Sequence, residues 1–596
     1  MRCLTLRRCA HPSPHSCIKC FLANPTKTEP VKNEKHSHPL ATLPIQKKNR
    51  SKLLLLPLLG LFIAAVPVRE NYFELSKQLE IMNALFRELN IFYVDEIQPG
   101  ALMETGIDAM VSSLDPYTIY YPESRVEDLR FMSTGEYGGI GASIQMMGSR
   151  HLFIDVLPEF PAAEAGIKIG DELTAVDGMR LADVDEDLIP EMLQGASGTE
   201  VEVGFIRNAT KTEESVVMKR AKIKLPAVPF RTVLRDSTGY VALSAFTRGS
   251  SFELRQAIRY LRDSIGMKQL VVDLRGNGGG LLQESISIVN LFIGKGEEVV
   301  STRGKTEEWE KSYSTMADAL LPDLPIAVLI DGMSASASEI VAGTLQDLDR
   351  AIIMGQESFG KGLVQQSKQL AYGTKLKVTV AKYYTPSGRC IQRLDYGGNR
   401  GADGSAQAVA DSLIEVFYTR NGRPVVDGKG VQPDVPTLLP PLGYVLEGLY
   451  ESGTLFDFAN AWTSQRDSIA APEAFALTEA DWTEFVDFAE ANAATQYESQ
   501  TSVMWEELKE VAEDEEVYPL DPDAFEQLEA ALKPNIVRDL QEFREQIQMS
   551  LEEEIIMRYY LQNGVFQWSL PRDSTVSTAI QMLNSGQYEM ILAGTE

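Results

Sequence analysis

Three serines occupy every second position in "DGMSASASEI", residues 331–340, among residues too small to build a core. The preceding "PIAVLI" is a short, β-branched apolar run and reads as a buried strand. The next stretch, "EIVAGTLQDLDRAI", has apolar residues at helical spacing, so the serines sit at a strand-to-helix junction. Such a junction is either a tight turn or a place for a nucleophile. A serine nucleophile needs a base, and histidine is nearly excluded. Of the five histidines, His11, His15, His36 and His38 lie near the N-terminus, and His151 lies in a β-rich stretch where a surface position is expected. A Ser-His-Asp arrangement in the 226–440 region therefore has no histidine to use. The other solution is a lysine whose pKa burial has lowered, so that it accepts the hydroxyl proton.

"GQESFGKGLVQQ" offers Lys361 between two glycines, which allow close backbone approach. Gln365, four residues on, is near enough to orient an amine. Spacing alone favours a plain loop lysine. "VVDLRGNGGG" supplies a third piece, a strand leading into glycines that open a helix. Exposed N–H groups there make an anion site or an oxyanion hole. The spacings GxxxxGK[ST] and GxGxxG are absent, so nucleotide binding has little support.

The elements that must hold these residues fall into blocks. Residues 72–132 read as helices, broken by the turns of "SSLDPYTIYYPES". Residues 137–221 change to short alternating strands with glycine turns, a small β-rich module. Residues 226–440 alternate strand and helix, with "QLVVDL", "PIAVLI" and "RAIIMG" as buried strands of a mostly parallel sheet. Residues 441–596 read as amphipathic helices. A chain of 596 residues exceeds what one core serves.

The net charge of −28 is unevenly spread. Residues 1–52 hold 11 Lys and Arg against 2 Glu, whereas residues 441–596 hold 31 Asp and Glu against 7 Lys and Arg. An acidic surface argues against nucleic acid as a partner. The run Leu53 to Val68 is uncharged and mostly apolar behind Lys47, Lys48, Arg50 and Lys52. It fits a signal peptide or an uncleaved anchor, and either predicts export of the chain beyond it. Four cysteines precede this run and only Cys390 lies after it, so no internal disulfide is expected. Cys17 and Cys20 with His11 and His15 form a weak zinc pattern in a Pro-, Lys- and Ser-rich segment.

"GMSASASEIVAGTLQD", "FGKGLVQQ", "DLRGNGGGLL", "AKYYTPSGRCIQ" and "GVQPDV" together resemble the C-terminal processing proteases, the tail-specific serine peptidases with a Ser-Lys dyad. "EYGGIGASI" with "DVLPEFPAAEAGIKIGDELTAVDG" resembles the PDZ domain inserted in that family. The resemblance covers residues 72–440 in the family's order. Joined to the composition readings at the two ends, it gives a multidomain chain: a cytoplasmic segment with signal peptide or anchor (1–68), an N-terminal helical region (72–132), a PDZ domain (137–221), a mixed α/β serine peptidase core (226–440) and an acidic helical extension (441–596). It implies Ser336 as nucleophile, 25 positions before Lys361 as general base, with Gln365 positioning the amine. Ser334 and Ser338 become packing or capping residues, and Glu339 a first-turn acid of the helix. The oxyanion hole would be the N–H of Ala337 with one from the Gly278–Gly279 pair, taken as Gly279. The PDZ loop, Gly139, Ile140 and Gly141, would capture a peptide's terminal carboxylate.

The implied protein is an endopeptidase of the bacterial cell envelope, periplasmic side. It acts on proteins and peptides with free C-termini and uses no metal or cofactor. A catalytically inactive PDZ scaffold that tethers C-termini is the alternative. The acidic extension leaves open a homo-oligomer contact, an adaptor dock or a lid.

Overall fold

The structure is a computed structural model and describes residues 56–184, 186–401, 404–438, 443–493, 499–515, 521–532 and 535–595. The chain divides into two compact units, of which the smaller comprises residues 4–110. Its described part holds the helix Leu56–Phe92 and most of the helix Pro99–Ser112. The cysteine and histidine pattern before residue 21 lies outside the described residues, as does the start of the apolar run. From Leu56 on, that run is helical. Among the described residues, no helix is long and apolar enough to cross a membrane.

In the larger unit, the β-rich module is a six-stranded antiparallel sheet. It is built from Ala142–Met147, Arg150–Val156, Glu172–Val176, Met179–Arg180, Glu200–Ile206 and Glu213–Lys219. Alternation of "EVEVGFI" sends Val201, Val203 and Phe205 inward against Phe153 and Val176. The strands that enter and leave the module, Glu136–Gly139 and Ala221–Lys224, pair with each other as an antiparallel stem. The insertion thus closes on itself at its root.

The peptidase region is built on a second six-stranded sheet. Its order is Phe230–Leu234, Thr238–Ala242, Gln269–Asp273, Ile326–Ile330, Ile352–Gly355, Val435–Pro436, parallel after the first pair. Both faces of this sheet are covered, which is why its central strands are continuous apolar runs. Leu254, Ile258, Ile288, Val341 and Leu345, from the helices Ser250–Arg259, Leu282–Val289 and Ala337–Asp347, fill one face. The other face is covered by the C-terminal extension: Phe566, Leu570, Val576, Ile580, Leu583 and Ile591 pack on Tyr240, Val271, Ala327, Leu329, Ile352 and Met354. The reading of residues 441–596 as amphipathic helices does not name their partner, and for these last helices the partner is the peptidase sheet itself.

The extension also reaches the PDZ module. Arg150 pairs with Asp457 through two contacts of 3.1 and 2.7 Å, beside a cluster of Met147, Leu152 and Phe456. A further antiparallel sheet joins Ile119–Tyr121, Lys375–Tyr384, Glu298–Gly304 and Lys311–Ser314, with Leu363–Gln369 as a third partner of Lys375–Tyr384. The "SSLDPYTIYYPES" break is therefore more than a turn between helices. It carries an edge strand of the sheet beside which Lys361 lies.

Candidate active site

Ser336 is the residue before the helix Ala337–Asp347 and adopts φ 56°, ψ −111°. A side-chain-bearing residue at positive φ costs free energy, and the surroundings must hold it there. They do so through hydrogen bonds to the loop after Gln269–Asp273. Ser334 Oγ donates to the Leu274 carbonyl at 2.8 Å, and Ser338 Oγ donates to the Asn277 carbonyl at 2.8 Å. Both flanking serines are fully buried, so their expected packing and capping role fits their contacts. The Ala335 N–H adds a bond to the Asn277 carbonyl at 3.1 Å.

Glu339 does more than a first-turn acid. Its carboxylate is fully buried and accepts four hydrogen bonds. The Ser336 N–H reaches Oε2 at 2.7 Å and the Lys361 N–H reaches the same oxygen at 2.9 Å. Ser358 Oγ and the Gly360 N–H bond Oε1 at 2.6 and 2.7 Å. The Tyr383 hydroxyl lies between the carbonyls of Ser336, at 3.1 Å, and Lys361, at 2.7 Å. Two side chains thus fasten the serine turn to the lysine loop. Burial pushes the Glu339 carboxyl up, against the pull of its four donors. "AKYYTPSGRC" marked the region of Tyr383, but nothing in the spacing assigned its hydroxyl a role.

Lys361 is mostly buried, and its pKa is lowered to about 8. Burial is the main cause and repulsion by Lys377 adds to it, while Glu339 and Asp115 oppose it. Its amine lies 4.1 Å from the ring centroid of Tyr117 and makes no hydrogen bond to Ser336 Oγ. Gln365, expected on that amine, instead donates from Nε2 to Thr379 Oγ1 at 3.3 Å. The backbone therefore brings Ser336 and Lys361 together, while the lysine side chain rests on an aromatic face.

Gly279 has φ +96°, and a Cβ there would sit 2.8 Å from the Ala337 nitrogen and 2.9 Å from Ser336 Cβ. Only glycine permits this conformation and approach. Its N–H, however, donates to Asn277 Oδ1 at 2.9 Å. The Ala337 and Gly278 N–H groups donate to no protein acceptor among the described residues. His151 is on the PDZ strand Arg150–Val156, half-buried instead of at the surface, because that strand faces Glu172–Val176. In the PDZ loop, Gly141 has φ +76° and closes against Phe160. The N–H groups of Ile140 and Gly141 have no acceptor among the described residues, while Gly139 continues the stem strand. No group of His, Cys, Asp and Glu side chains that could hold a metal ion occurs among the described residues.

Comparison with known proteins matches three segments to family models. Residues 237–397 match peptidase family S41, residues 138–217 a PDZ domain, and residues 445–583 the C-terminal helical domain of a probable PDZ-protease. A carboxy-terminal-processing protease of Bartonella bacilliformis is 36% identical over 319 residues, which are 53% of this chain and 73% of its own length. The carboxy-terminal processing protease CtpB of Bacillus subtilis is 30% identical over 334 residues, 55% of this chain and 69% of its own length. A solved structure of a photosystem II D1 C-terminal processing protease is 26% identical, with a TM-score of 0.34, and the match covers 61% of this chain and 93% of that chain.

Proposed function

The chain belongs to the carboxy-terminal processing proteases, serine-type peptidases that carry a PDZ domain, and on that premise we propose that it cleaves exported proteins near their C-termini with Ser336 as nucleophile and Lys361 as base. The observation that carries this reading is the shared oxygen of Glu339. The N–H groups of Ser336 and Lys361 both bond Oε2, which fixes the two residues in one site.

Neutral Lys361 Nζ takes the proton from Ser336 Oγ as the oxygen attacks the scissile carbonyl carbon. The N–H of Ala337 and one from the Gly278–Gly279 pair hold the oxyanion, with Gly278 the one whose N–H is free here. The Lys361 ammonium returns the proton to the leaving amine, and an acyl-enzyme remains on Ser336. Water then attacks with Lys361 again as base. Gln365 steadies the amine once it has turned toward Ser336. The free N–H groups of Ile140 and Gly141, in the loop that begins at Gly139, receive a substrate's terminal carboxylate. The basic flank and apolar run before residue 69 support export to the periplasmic side of the bacterial envelope.

The test is a purified reporter with an unstructured C-terminal tail, monitored by mass spectrometry. The full-length protein is expected to shorten the tail, and amidation of its terminal carboxylate to slow the reaction. Ser336→Ala is expected to leave the reporter intact while still binding its tail. Equal shortening by Ser336→Ala would overturn the assignment, and no shortening by the intact chain would favour a scaffold that only binds.

A further inference from the structure

The turn 115–118 supplies no group to the reaction, yet it is closely specified. The buried Asp115 carboxylate accepts the N–H groups of Tyr117 and Thr118 at 2.9 and 2.7 Å, and the Thr118 hydroxyl at 3.0 Å. Thr118 Oγ1 in turn accepts the Thr379 N–H at 3.3 Å. The strand Ile119–Tyr121 then pairs with Lys375–Tyr384, whose other side carries Leu363–Gln369. Lys361 precedes that last strand by two residues. This register brings the Tyr117 ring over the Lys361 amine, 4.1 Å from Nζ to the centroid. Tyr396 meets the Tyr117 ring edge-on at 6.0 Å and 84°, and the two hydroxyls interact.

We propose that Tyr117 is a positioning residue for Lys361: its ring face holds the ammonium form of the resting lysine away from Ser336, and releases it as the neutral amine that serves as base. The inference rests on the reading of Lys361 as base. An aromatic face attracts a cation through its quadrupole and has no such hold on a neutral amine. Resting on Tyr117 and accepting the Ser336 proton are therefore alternative states of one side chain. Their balance depends on the charge of the lysine. The charged groups acting on that amine are Lys377 on the neighbouring strand, Glu339 on the serine helix and Asp115 in the turn, while the hydroxyls of Tyr396 and Tyr383 act on Tyr117. Burial and Lys377 make the lysine lose its proton easily, while the ring, Glu339 and Asp115 retain it.

Removing the ring while keeping apolar volume withdraws a stabiliser of the ammonium form. The rise of kcat/KM with pH should then move to lower pH, by about half a unit to one unit for a cation–π contact of ordinary strength. The measurement is the pH profile of peptide cleavage by wild-type, Tyr117→Phe and Tyr117→Leu. Tyr117→Phe keeps the ring and should keep the midpoint, whereas Tyr117→Leu should lower it. Should Tyr117→Leu fold poorly, replacing Tyr117 with phenylalanine and then with pentafluorophenylalanine keeps the shape and removes the negative face. The midpoint should then fall on fluorination. A purely structural role would change the plateau rate and leave the midpoint in place. An unmoved or raised midpoint in both replacements overturns the proposal. The reading beneath it is tested separately by Lys361→Ala: retained cleavage in that variant would remove the base assignment, whatever Tyr117 does.

Discussion

A chain that ends at residue 438 is expected to lose its folded peptidase core. The extension has the composition of an appendage, but it closes one face of the central parallel sheet. Phe566, Leu570, Val576, Ile580, Leu583 and Ile591 are all buried there. At about 1.5–3 kcal/mol for each fully buried large side chain, the loss is roughly 10 kcal/mol or more. Domain stabilities are about 5–15 kcal/mol, so truncation should consume most or all of it. Specific contacts go as well: the stacked rings of Phe230 and Phe566 at 4.7 Å, Arg275 with Asp573 at 2.8 Å, and the Ile326 N–H on the Tyr588 hydroxyl at 3.2 Å. Arg275 leads into the Gly278–Gly280 loop, so the extension also braces the glycine loop from below. Thermal melting monitored by circular dichroism checks this. A cooperative melt of the truncated chain close to that of the full chain would show that the sheet does not need its second layer.

Glu339→Ala should come next in size and should act on stability and rate together. The substitution leaves the N–H groups of Ser336, Gly360 and Lys361 and the Ser358 hydroxyl without their acceptor. An unsatisfied buried donor costs about 1–3 kcal/mol, so several kcal/mol of stability should vanish. The serine turn and the lysine loop would then be joined chiefly through Tyr383. A misplacement of about 1 Å between reacting groups costs on the order of 10²-fold in rate. Glu339→Gln retains one acceptor oxygen but turns an NH₂ toward donors, so it should lie between the two. Melting temperature and kcat for the three proteins test this. A Glu339→Ala variant that melts like wild-type with a kcat within about tenfold would contradict the clamp.

The legible parts of this protein are those set by local pattern. "QLVVDL" and "PIAVLI" are visible as strands because a sheet covered on both faces needs continuous apolar runs. The PDZ strands are visible because one face of each is buried, which enforces alternation. Ser336 and Lys361 stand out because their motifs are short and contiguous. The features that sequence does not reveal depend on contacts between distant segments. Glu339 looks like a helix first-turn acid in sequence, and only folding brings the Lys361 loop onto its carboxylate. Tyr117 lies in a turn between apolar stretches, and its place over Lys361 comes from a strand register that no local spacing encodes. The antiparallel sheet around Lys375–Tyr384 is absorbed into a mostly parallel reading, although "KLKVTVAK" alternates as an antiparallel strand does. Gln365 and Gly279 show a different limit. Their neighbourhood is legible, but the partners they bond here, Thr379 and Asn277, depend on side-chain and amide orientation.

The central claim is that a buried lysine, and not a histidine, activates Ser336. It is tested most directly by kcat/KM against pH for wild-type, Lys361→Ala and His151→Ala on one peptide substrate. A lysine works as a base only when neutral, so wild-type activity should rise with pH through a midpoint near the lowered Lys361 value of about 8. His151→Ala should reproduce that curve. Lys361→Ala should fall by on the order of 10³-fold or more on the high-pH plateau and lose the rise, because nucleophile and base act as a unit. A Lys361→Ala enzyme that keeps its rate, or keeps the rising limb, would contradict the account.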